Sequence, residues 1–420
     1  MTEKTINVDY IARVEGQGAL HIDVTKDGKI QNLQFKIFEP PRFFESFLIG
    51  RRYDEVMELT SRICGICPVA HQITALRAVE NAMGIDPTDQ TKDLRKLMAI
   101  SAHIQSHVLS MYFLSLPDLM GYESLIAMAK DHMDIVKRAL KLKKLGNDLT
   151  QIIGGRAVHP VTMIVDGFSS IPSKNKLEDF RRRLSDAKKD AFKSVDLFSN
   201  IEIPDFTRKC EHVAISNPEQ YAINEGQFKS TEGLNIDEMN YREHIYEKQK
   251  PYSTALHSYV TERDSFMVGP LPRVNLNLKQ MSDDVQGAAK RSGFKFPNFN
   301  PFVSHLARAL EVLHYIDECI EIIDRIRLKE EKPNFMCKSG FGAAITEAPR
   351  GSLYHSYTLD NNGIVRKADI VPPTSHNANN IEKDMNGFVQ TILELPLDEI
   401  TLKCEMLVRA YDPCISCSTH

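Results

Sequence analysis

RICGICPVAH at residues 62–71 and DPCISCSTH at residues 412–420 each contain a C-x-x-C pair that is followed by a histidine. Four thiolates can bind zinc, copper(I), an iron–sulfur cluster, or nickel held alongside iron. A zinc ribbon has about 15–20 residues between its two pairs, whereas here nearly the whole chain separates Cys67 from Cys414. The fold must therefore bring its two ends together, and a buried site inside a large domain is predicted.

Composition limits the classes of protein to which this chain can belong. With 420 residues, 42% of them hydrophobic, the chain can bury a large core. The 52 basic and 56 acidic residues leave a formal net charge of −4, which gives no general attraction to nucleic acid. No apolar run approaches the roughly 18 residues of a membrane span, and the N-terminus has no apolar signal core. We therefore predict a cytoplasmic chain with no membrane span and no nucleic-acid partner.

Four of the eight cysteines lie outside the C-x-x-C pairs and are isolated in the sequence. They are Cys210, Cys319, Cys337 and Cys404. Eight cysteines in 420 residues are too sparse for a disulfide scaffold, so we interpret these four as small apolar residues of the core. The chain then has no thiolate set for an iron–sulfur cluster of its own.

The spacing of apolar residues predicts a helix-dominated α+β fold. Alternating apolar residues on both sides of Asp27-Gly28 predict a β-hairpin, and Asn362-Gly363 marks a second one. Apolar residues recur at helical spacing from Leu94 to Met111, which predicts a long buried helix that ends near Pro117. Further helices are predicted over residues 53–63, 68–83, 122–145, 176–198, 301–328 and 381–393, and another is predicted to end near Arg409.

Residues 204–300 are rich in Asn, Gly, Pro and charge, with weak periodicity. This composition predicts an irregular excursion on the surface. No internal repeat or interdomain linker is evident, so residues 1–420 are expected to form a single domain.

Four shorter segments accompany the two cysteine pairs. They are RVEG at 13–16, EPPRFFE at 39–45, GGRAVHP at 154–160 and EAPRG at 347–351. With these segments in this order, the chain resembles the catalytic large subunit of a nickel–iron hydrogenase over nearly its entire length. The resemblance implies the large-subunit fold, in which N- and C-terminal segments meet at a buried metal site. It also implies reversible heterolytic cleavage of H2 into protons and electrons.

The resemblance assigns a ligand to each cysteine of the two pairs. Cys64 and Cys414 are expected to be terminal nickel ligands, while Cys67 and Cys417 are expected to bridge nickel to an iron. The remaining iron ligands in this family are carbon monoxide and cyanide.

Each cysteine pair is followed by a histidine with a different expected role. His71 comes one helical turn after Cys67, where it is expected to donate a hydrogen bond to a bridging sulfur; the alternative is a core histidine whose ring is bonded to backbone. His420 matches the family's mature C-terminal histidine, which binds magnesium or a similar divalent cation together with a carboxylate that matches Glu45. In this family a C-terminal extension is commonly removed after that histidine, so a chain that stops there is expected to be either a matured chain or a natural one that needs no cutting.

Proton movement needs a carboxyl group within hydrogen-bond reach of a terminal nickel cysteine. Glu15, in the RVEG segment, matches the family's relay glutamate. The alternative is a surface glutamate that forms a salt bridge with Arg13. Glu347, close to Arg350 in the sequence, is a second acidic candidate.

Three further residues are expected to surround the metals. Arg350 matches the family arginine that lies over the open metal position, where a planar guanidinium can orient a diatomic ligand or a water. Asp412 is expected to pair with Arg350, although it could simply cap its turn. Thr374 is expected to donate a hydrogen bond to an iron-bound cyanide.

Electrons released at a buried site must leave by tunnelling, so an iron–sulfur small subunit is an expected partner, together with further flavin or iron–sulfur subunits. Residues 39–45 and 374–377 are similar to the soluble, cytoplasmic, bidirectional branch of the family. The sequence does not choose between a nicotinamide, a deazaflavin, ferredoxin or a disulfide as the acceptor. Two alternatives are a structural subunit that holds zinc and a quinone-reactive respiratory-complex subunit of the same fold, which lacks the paired cysteines.

Overall fold

The computed structural model describes residues 2–420, which form an α+β structure with more residues in helices than in strands. The helices are α1 Phe44–Leu48, α2 Val56–Ser61, α3 Pro68–Met83, α4 Asp89–Val108, α5 Leu116–Leu119, α6 Leu125–Met128, α7 Met133–Gly154, α8 Lys174–Asn200, α9 Tyr241–His244, α10 Pro270–Asn277, α11 Asp283–Arg291, α12 Ser304–Arg325, α13 Pro373–Thr391, α14 Leu397–Tyr411 and α15 Ile415–Ser418. The strands are β1 Thr2–Val8, β2 Gly18–Thr25, β3 Ile30–Ile37, β4 Met163–Ile164, β5 Gly167–Phe168, β6 Glu211–Ser216, β7 Gln227–Ser230, β8 Asn235–Ile236, β9 Ile245–Gln249, β10 Leu256–Val260, β11 Phe266–Met267, β12 Gly340–Ala348, β13 Gly351–Leu359 and β14 Val365–Val371.

The strands form small sheets around the helices. Two are three-stranded antiparallel meanders, β1-β2-β3 and β12-β13-β14, and a four-stranded sheet has the order β11-β6-β7-β8. Two further hairpins pair β9 with β10 and β4 with β5. The predicted hairpins at Asp27-Gly28 and Asn362-Gly363 are confirmed as the β2–β3 and β13–β14 connections.

The centre of the molecule is α12, whose side chains are buried on nearly every face. It packs against α4 and α8, and it also supports the end of α14. The fully buried Arg308 donates from Nη2 to the carbonyl oxygen of Ala410 at 2.9 Å. This bond holds the last turn of α14, from which the C-terminal cysteine segment begins.

Helix α3 lies on β12 at backbone contact. A Cβ placed on Gly342 would lie 2.2 Å from the carbonyl oxygen of Ala78, and one on Gly340 would lie 2.1 Å from that of Ala82. Only glycine allows this approach, because any side chain would push the helix off the strand. The contact holds the C-terminal half of α3, the helix that begins directly after Cys67, against β12.

The long buried helix predicted to end near Pro117 is confirmed, with one local change. α4 runs to Val108, continues as a π-helical segment over Leu109–Ser115, and ends in α5. Such π segments frequently occur at functional sites. The predicted helices over 68–83, 176–198 and 301–328 match α3, α8 and α12 within three residues at each end.

The prediction of one continuous helix over 122–145 is wrong. The chain instead forms the single turn α6, capped by Ser124, which accepts a hydrogen bond from the Ala127 amide at 3.2 Å, and then starts the longer α7 at Met133. Apolar residues keep their helical spacing across the break, so periodicity alone does not reveal it. The helix predicted from 381 begins earlier, at Pro373, because proline is well suited to the first turn.

The prediction of an irregular surface excursion over 204–300 is also wrong. This segment contains β6 to β11 and α9 to α11, and its apolar residues form a second buried cluster with β12 and β13. Val213, Phe228 and Tyr241 are all 1% exposed or less. Its strands are short and separated by turns, so they give little periodicity along the chain.

Within residues 2–420, no helix is both long enough and apolar enough to cross a membrane.

The close approach of α3 to β12 can be tested with Gly342→Ala. We expect this change to lower the free energy of unfolding by about 1–3 kcal/mol, because the new methyl group overlaps the helix backbone. Gly167→Ala is the matched control, since a Cβ there meets nothing within 4 Å, and we expect a change within about 0.5 kcal/mol. Equal thermal unfolding midpoints for the two variants would contradict this packing.

Candidate metal centre

The structure brings the four paired cysteines together at one buried point. All four sulfur atoms lie within 4.8 Å of one another. Cys64 Sγ lies 3.4 Å from Cys414 Sγ, and Cys67 Sγ lies 3.4 Å from Cys417 Sγ. Each close pair thus joins one cysteine from either end of the chain, as the sequence requires.

The N-terminal pair is shaped by the turn that starts α3. Cys67 is the N-cap residue, and Pro68 occupies the first helical position. The backbone amides of Ile66 and Cys67 both donate to Cys64 Sγ, at 3.2 Å and 3.3 Å. Amide donors and the positive end of a helix dipole stabilise a thiolate, so this turn prepares Cys64 for metal binding.

The C-terminal pair is presented by a break after α14. Asp412 ends that helix in the left-handed region, with φ of 55°, and Pro413 prevents its continuation. The backbone amide of Cys414 then donates to Thr374 Oγ1 at 2.8 Å. Among residues 2–420, the Thr374 hydroxyl accepts this bond and donates none of its own.

Arg42 ties the two cysteine segments together, a role that the sequence analysis missed. Its Nη2 donates to the carbonyl oxygen of Ile63 at 2.7 Å and to that of Ser416. Its backbone amide donates to the carbonyl oxygen of Thr419 at 2.8 Å. One arginine therefore bonds both loops, and its only signal in the sequence is its place in the EPPRFFE segment.

Glu15 contacts the sulfur cluster directly. Its Oε2 accepts hydrogen bonds from Cys414 Sγ at 3.1 Å and from the Ser416 amide at 3.0 Å. Its side chain is half-buried, so it lies between the sulfur and solvent. The alternative ion pair with Arg13 is not formed, because Arg13 pairs with Asp118.

Arg350 and Asp412 form a buried ion pair beside the cysteines. Arg350 Nη2 donates to Asp412 Oδ1 at 3.1 Å, and Arg350 Nη1 lies 3.4 Å from Ser106 Oγ. Burial acts to lower the pKa of Arg350, but Asp412 and the cysteine sulfurs outweigh it and raise that pKa well above its usual value. Arg350 lies in the tight turn between β12 and β13, so its backbone is firmly held.

Glu347 belongs to a separate buried network and does not contact the sulfurs. Arg273 Nη1 donates to Glu347 Oε2 at 3.0 Å, and Arg273 Nε donates to Glu311 Oε1 at 2.6 Å. His107 Nε2 lies 2.7 Å from Glu311 Oε2. All these side chains are fully buried, which accounts for Glu347 as a structural partner of Arg273.

Glu45 and His420 meet on the far side of the C-terminal segment. His420 Nδ1 donates to the Cys417 carbonyl oxygen at 2.8 Å, which turns Nε2 toward Glu45 Oε1 at 3.7 Å. Burial opposes both charges, but their mutual attraction raises the pKa of His420 and lowers that of Glu45. A carboxylate oxygen and an imidazole nitrogen at this spacing suit a hard divalent cation that keeps several waters.

His71 is buried one turn after Cys67, but its ring is not bonded to backbone as the alternative reading required. His71 Nδ1 lies 3.1 Å from His355 Nε2 instead. Burial lowers the pKa of His71 to about 3, so the ring is neutral.

The donor set fits a soft metal centre. Metal–thiolate bonds of about 2.3 Å are compatible with sulfurs that lie 3.4 Å to 4.8 Å apart. Burial raises the pKa of both Cys414 and Cys417 well above the usual value of a thiol. These sulfurs need a bound cation to stay deprotonated, because the single positive charge of Arg350 does not balance four thiolates.

Comparison with known proteins identifies the family. The sequence profile of the family described as nickel-dependent hydrogenase matches residues 42–135 and 227–420. The chain is 34% identical to the alpha subunit of sulfhydrogenase 1 of Pyrococcus furiosus over 99% of this chain and 97% of that protein. It is 29% identical to a vhc F420-non-reducing hydrogenase subunit of Methanococcus voltae over 99% of this chain and 94% of that protein.

Solved structures show the same fold. An NAD+-reducing [NiFe]-hydrogenase in the H2-reduced state superimposes with a TM-score of 0.89 at 22% identity, and all of both chains is covered. A [NiFeSe]-hydrogenase of Dm. baculatum gives a TM-score of 0.83 over 99% of this chain. The fold, the four converging cysteines and the matched sequence together show that this chain belongs to the nickel-dependent hydrogenases, as their catalytic large subunit.

Proposed function

We propose that this chain cleaves H2 heterolytically at a nickel–iron centre held by Cys64, Cys67, Cys414 and Cys417. The observation that carries the proposal is the hydrogen bond from Cys414 Sγ to Glu15 Oε2 at the edge of the four-sulfur site. When bound, the centre supplies a Lewis-acidic metal pair that accepts the electrons of the H–H bond. The residues around it hold the metals and move the proton.

The roles proposed for the four cysteines are those that the resemblance to the family implies. Cys64 and Cys414 are proposed as terminal nickel ligands, with Cys67 and Cys417 as the bridges to iron. Amide donors already bond Cys64 Sγ, whereas Cys67 starts α3 and is held by the helix. The iron is proposed to carry carbon monoxide and cyanide, and the free hydroxyl hydrogen of Thr374 is suited to bond a cyanide nitrogen.

The proton leaves through Cys414 and Glu15. A proton on Cys414 Sγ has a carboxylate acceptor at 3.1 Å, which is within hydrogen-bond reach. The Ser416 amide holds the same carboxylate oxygen, so the acceptor keeps its position during transfer. Because Glu15 is only half-buried, it can pass the proton on to solvent.

Arg350 and Asp412 are proposed to shape the open position on the metals. The guanidinium of Arg350 carries a fixed charge, and Asp412 fixes its angle from behind. A planar donor held in this way can orient a small molecule over the site. On the other side of the segment, Glu45 and His420 are proposed to bind magnesium, which would anchor the C-terminus beneath the cysteines.

An iron–sulfur subunit is the proposed electron acceptor, docked where the cysteines come closest to the surface. Gly65 is exposed beside the buried Cys64. Next to it, the loop over residues 155–161 exposes Val158 by 47% and Val161 by 50%. The Pro160 carbonyl oxygen accepts a hydrogen bond from Gln72 on α3 at 2.8 Å, which fixes this loop against the metal-binding helix.

Further flavin or iron–sulfur subunits, a cytoplasmic location and membership of the bidirectional branch are also proposed. They are supported by the similarity of residues 39–45 and 374–377 to that branch and by the relatives found. We also propose that the whole chain acts as one domain around the metal centre.

Metal analysis and infrared spectroscopy of the purified complex test the central proposal. We expect nickel, iron and magnesium in the complex, together with infrared bands from metal-bound carbon monoxide and cyanide. Zinc alone would identify a structural subunit, and the paired cysteines already disfavour the quinone-reactive alternative. A matured protein without the ligand bands would contradict the nickel–iron assignment.

Glu15→Gln tests the proton route. We expect the metals and infrared bands to remain while H2/D2 exchange falls by at least about 10²-fold, because the amide keeps the shape but cannot take the proton. Glu58→Gln, an exposed carboxylate of α2, is the control and should leave exchange unchanged. Exchange near the wild-type rate in the Glu15 variant would place the relay elsewhere.

Val161→Lys tests the docking face. We expect at least about tenfold weaker binding of the iron–sulfur subunit, because a lysine ammonium would be buried without a partner. Leu140→Lys, at a residue of α7 that is 53% exposed, is the matched control and should bind normally. Co-purification and a measured dissociation constant distinguish the two variants, and equal binding would move the docking face away from this loop.

A further inference from the structure

Three hydrogen-bonded side chains lead away from the sulfur cluster. His71 Nδ1 lies 3.1 Å from His355 Nε2, and His355 Nδ1 lies 2.7 Å from the hydroxyl oxygen of Tyr357. Each of the three residues is 1% exposed or less. These two hydrogen bonds therefore link His71, next to the metal-binding turn, to the buried phenol of Tyr357, which has no role in the proposed reaction.

The secondary structure places these three side chains next to one another. His355 and Tyr357 are two positions apart on β13, so their side chains lie on the same face of the strand. α3, which carries His71, packs against β13 as well as β12. Gly342, the strand partner of Tyr357, is one of the glycines that let α3 approach so closely.

The phenol of Tyr357 determines which group donates in each of these two hydrogen bonds. Among residues 2–420, the only hydrogen bond of the Tyr357 hydroxyl is the one with His355 Nδ1. Buried donors are very rarely left unpaired, so this hydroxyl donates its hydrogen to Nδ1. A neutral imidazole carries a single N–H, so the hydrogen of His355 is on Nε2 and is donated to His71 Nδ1.

The tautomer of His71 follows from that of His355. Because Nδ1 of His71 accepts a hydrogen bond, its own hydrogen must be on Nε2. Burial keeps both rings neutral, since it lowers the pKa of His71 to about 3 and that of His355 well below its usual value. It also raises the pKa of Tyr357 well above its usual value, so the phenol keeps its hydrogen.

We propose that Tyr357, acting through His355, is a positioning residue that holds His71 as its Nε2–H tautomer. In this form the second ring nitrogen of His71 carries an N–H, which is the donor that a hydrogen bond to a cysteine sulfur requires. The opposite tautomer would offer a bare nitrogen lone pair, which could compete with the cysteines as a metal ligand. The consequence for the sulfurs rests on the proposed nickel–iron centre, whereas the tautomer itself rests only on the hydrogen bonds of this chain.

Nitrogen NMR of the purified complex with 15N-labelled histidine tests the proposal, because a protonated and a bare ring nitrogen have widely separated resonances. We expect His71 to show protonated Nε2 and bare Nδ1, and we expect Tyr357→Phe to draw its two resonances together as the tautomers mix. The signals of His71 can be assigned from their loss in His71→Gln.

Tyr241→Phe is the matched control. Tyr241 is also fully buried, and its hydroxyl bonds His376 Nε2 at 2.6 Å. His376 donates from Nδ1 to the Ser352 carbonyl oxygen at 2.9 Å, so its tautomer does not depend on the phenol. We expect this variant to leave the His71 resonances unchanged and His376 in its original tautomer.

Two outcomes would overturn the proposal: a wild-type His71 protonated at Nδ1, or a Tyr357→Phe variant whose His71 resonances stay fully separated. The first measurement needs no variant, so a folding defect cannot hide the answer. If metal analysis found zinc in place of nickel and iron, the function would be wrong while the NMR result still decided the tautomer. If nickel and iron are present, the infrared bands should also shift in Tyr357→Phe and not in Tyr241→Phe.

Discussion

The metal centre depends on one backbone contact between segments from the two ends of the chain. The Ile415 amide donates to the Glu15 carbonyl oxygen at 2.9 Å, so Glu15 and Cys414 lie side by side. Gly16 permits this contact, because its φ is +90° and a Cβ would lie 2.6 Å from Ile415 Cβ. The same contact that closes the fold therefore puts a carboxylate next to a metal-binding sulfur.

Burial decides the charges at this centre. Four cysteines that are each 4% exposed or less cannot all be thiolates without nearby positive charge. The protein supplies some of it through Arg350, whose guanidinium is paired with Asp412 at 3.1 Å. The carboxylate of Glu45 and the imidazole of His420 form a separate donor pair, so the two sites offer different kinds of ligand.

Sequence patterns predicted elements where one physical signal dominated. α3, α8 and α12 are long segments without internal turn signals, and their predicted limits were close to those observed. The pattern failed over 204–300, where short strands gain their stability from packing against β12 and β13. It also failed at the break before α7, because apolar spacing continues through a turn whose position is set by capping.

The sequence by itself determined the chemistry: two cysteine pairs far apart, each followed by a histidine, require a buried site where the chain ends meet. Motif order also singled out Glu15, Arg350 and Asp412. Only the tertiary structure decided which groups touch, because contacts between remote segments have no periodicity to reveal them. The hydrogen bonds of Arg42 to both cysteine loops and of His355 to His71 are therefore visible only in the tertiary structure.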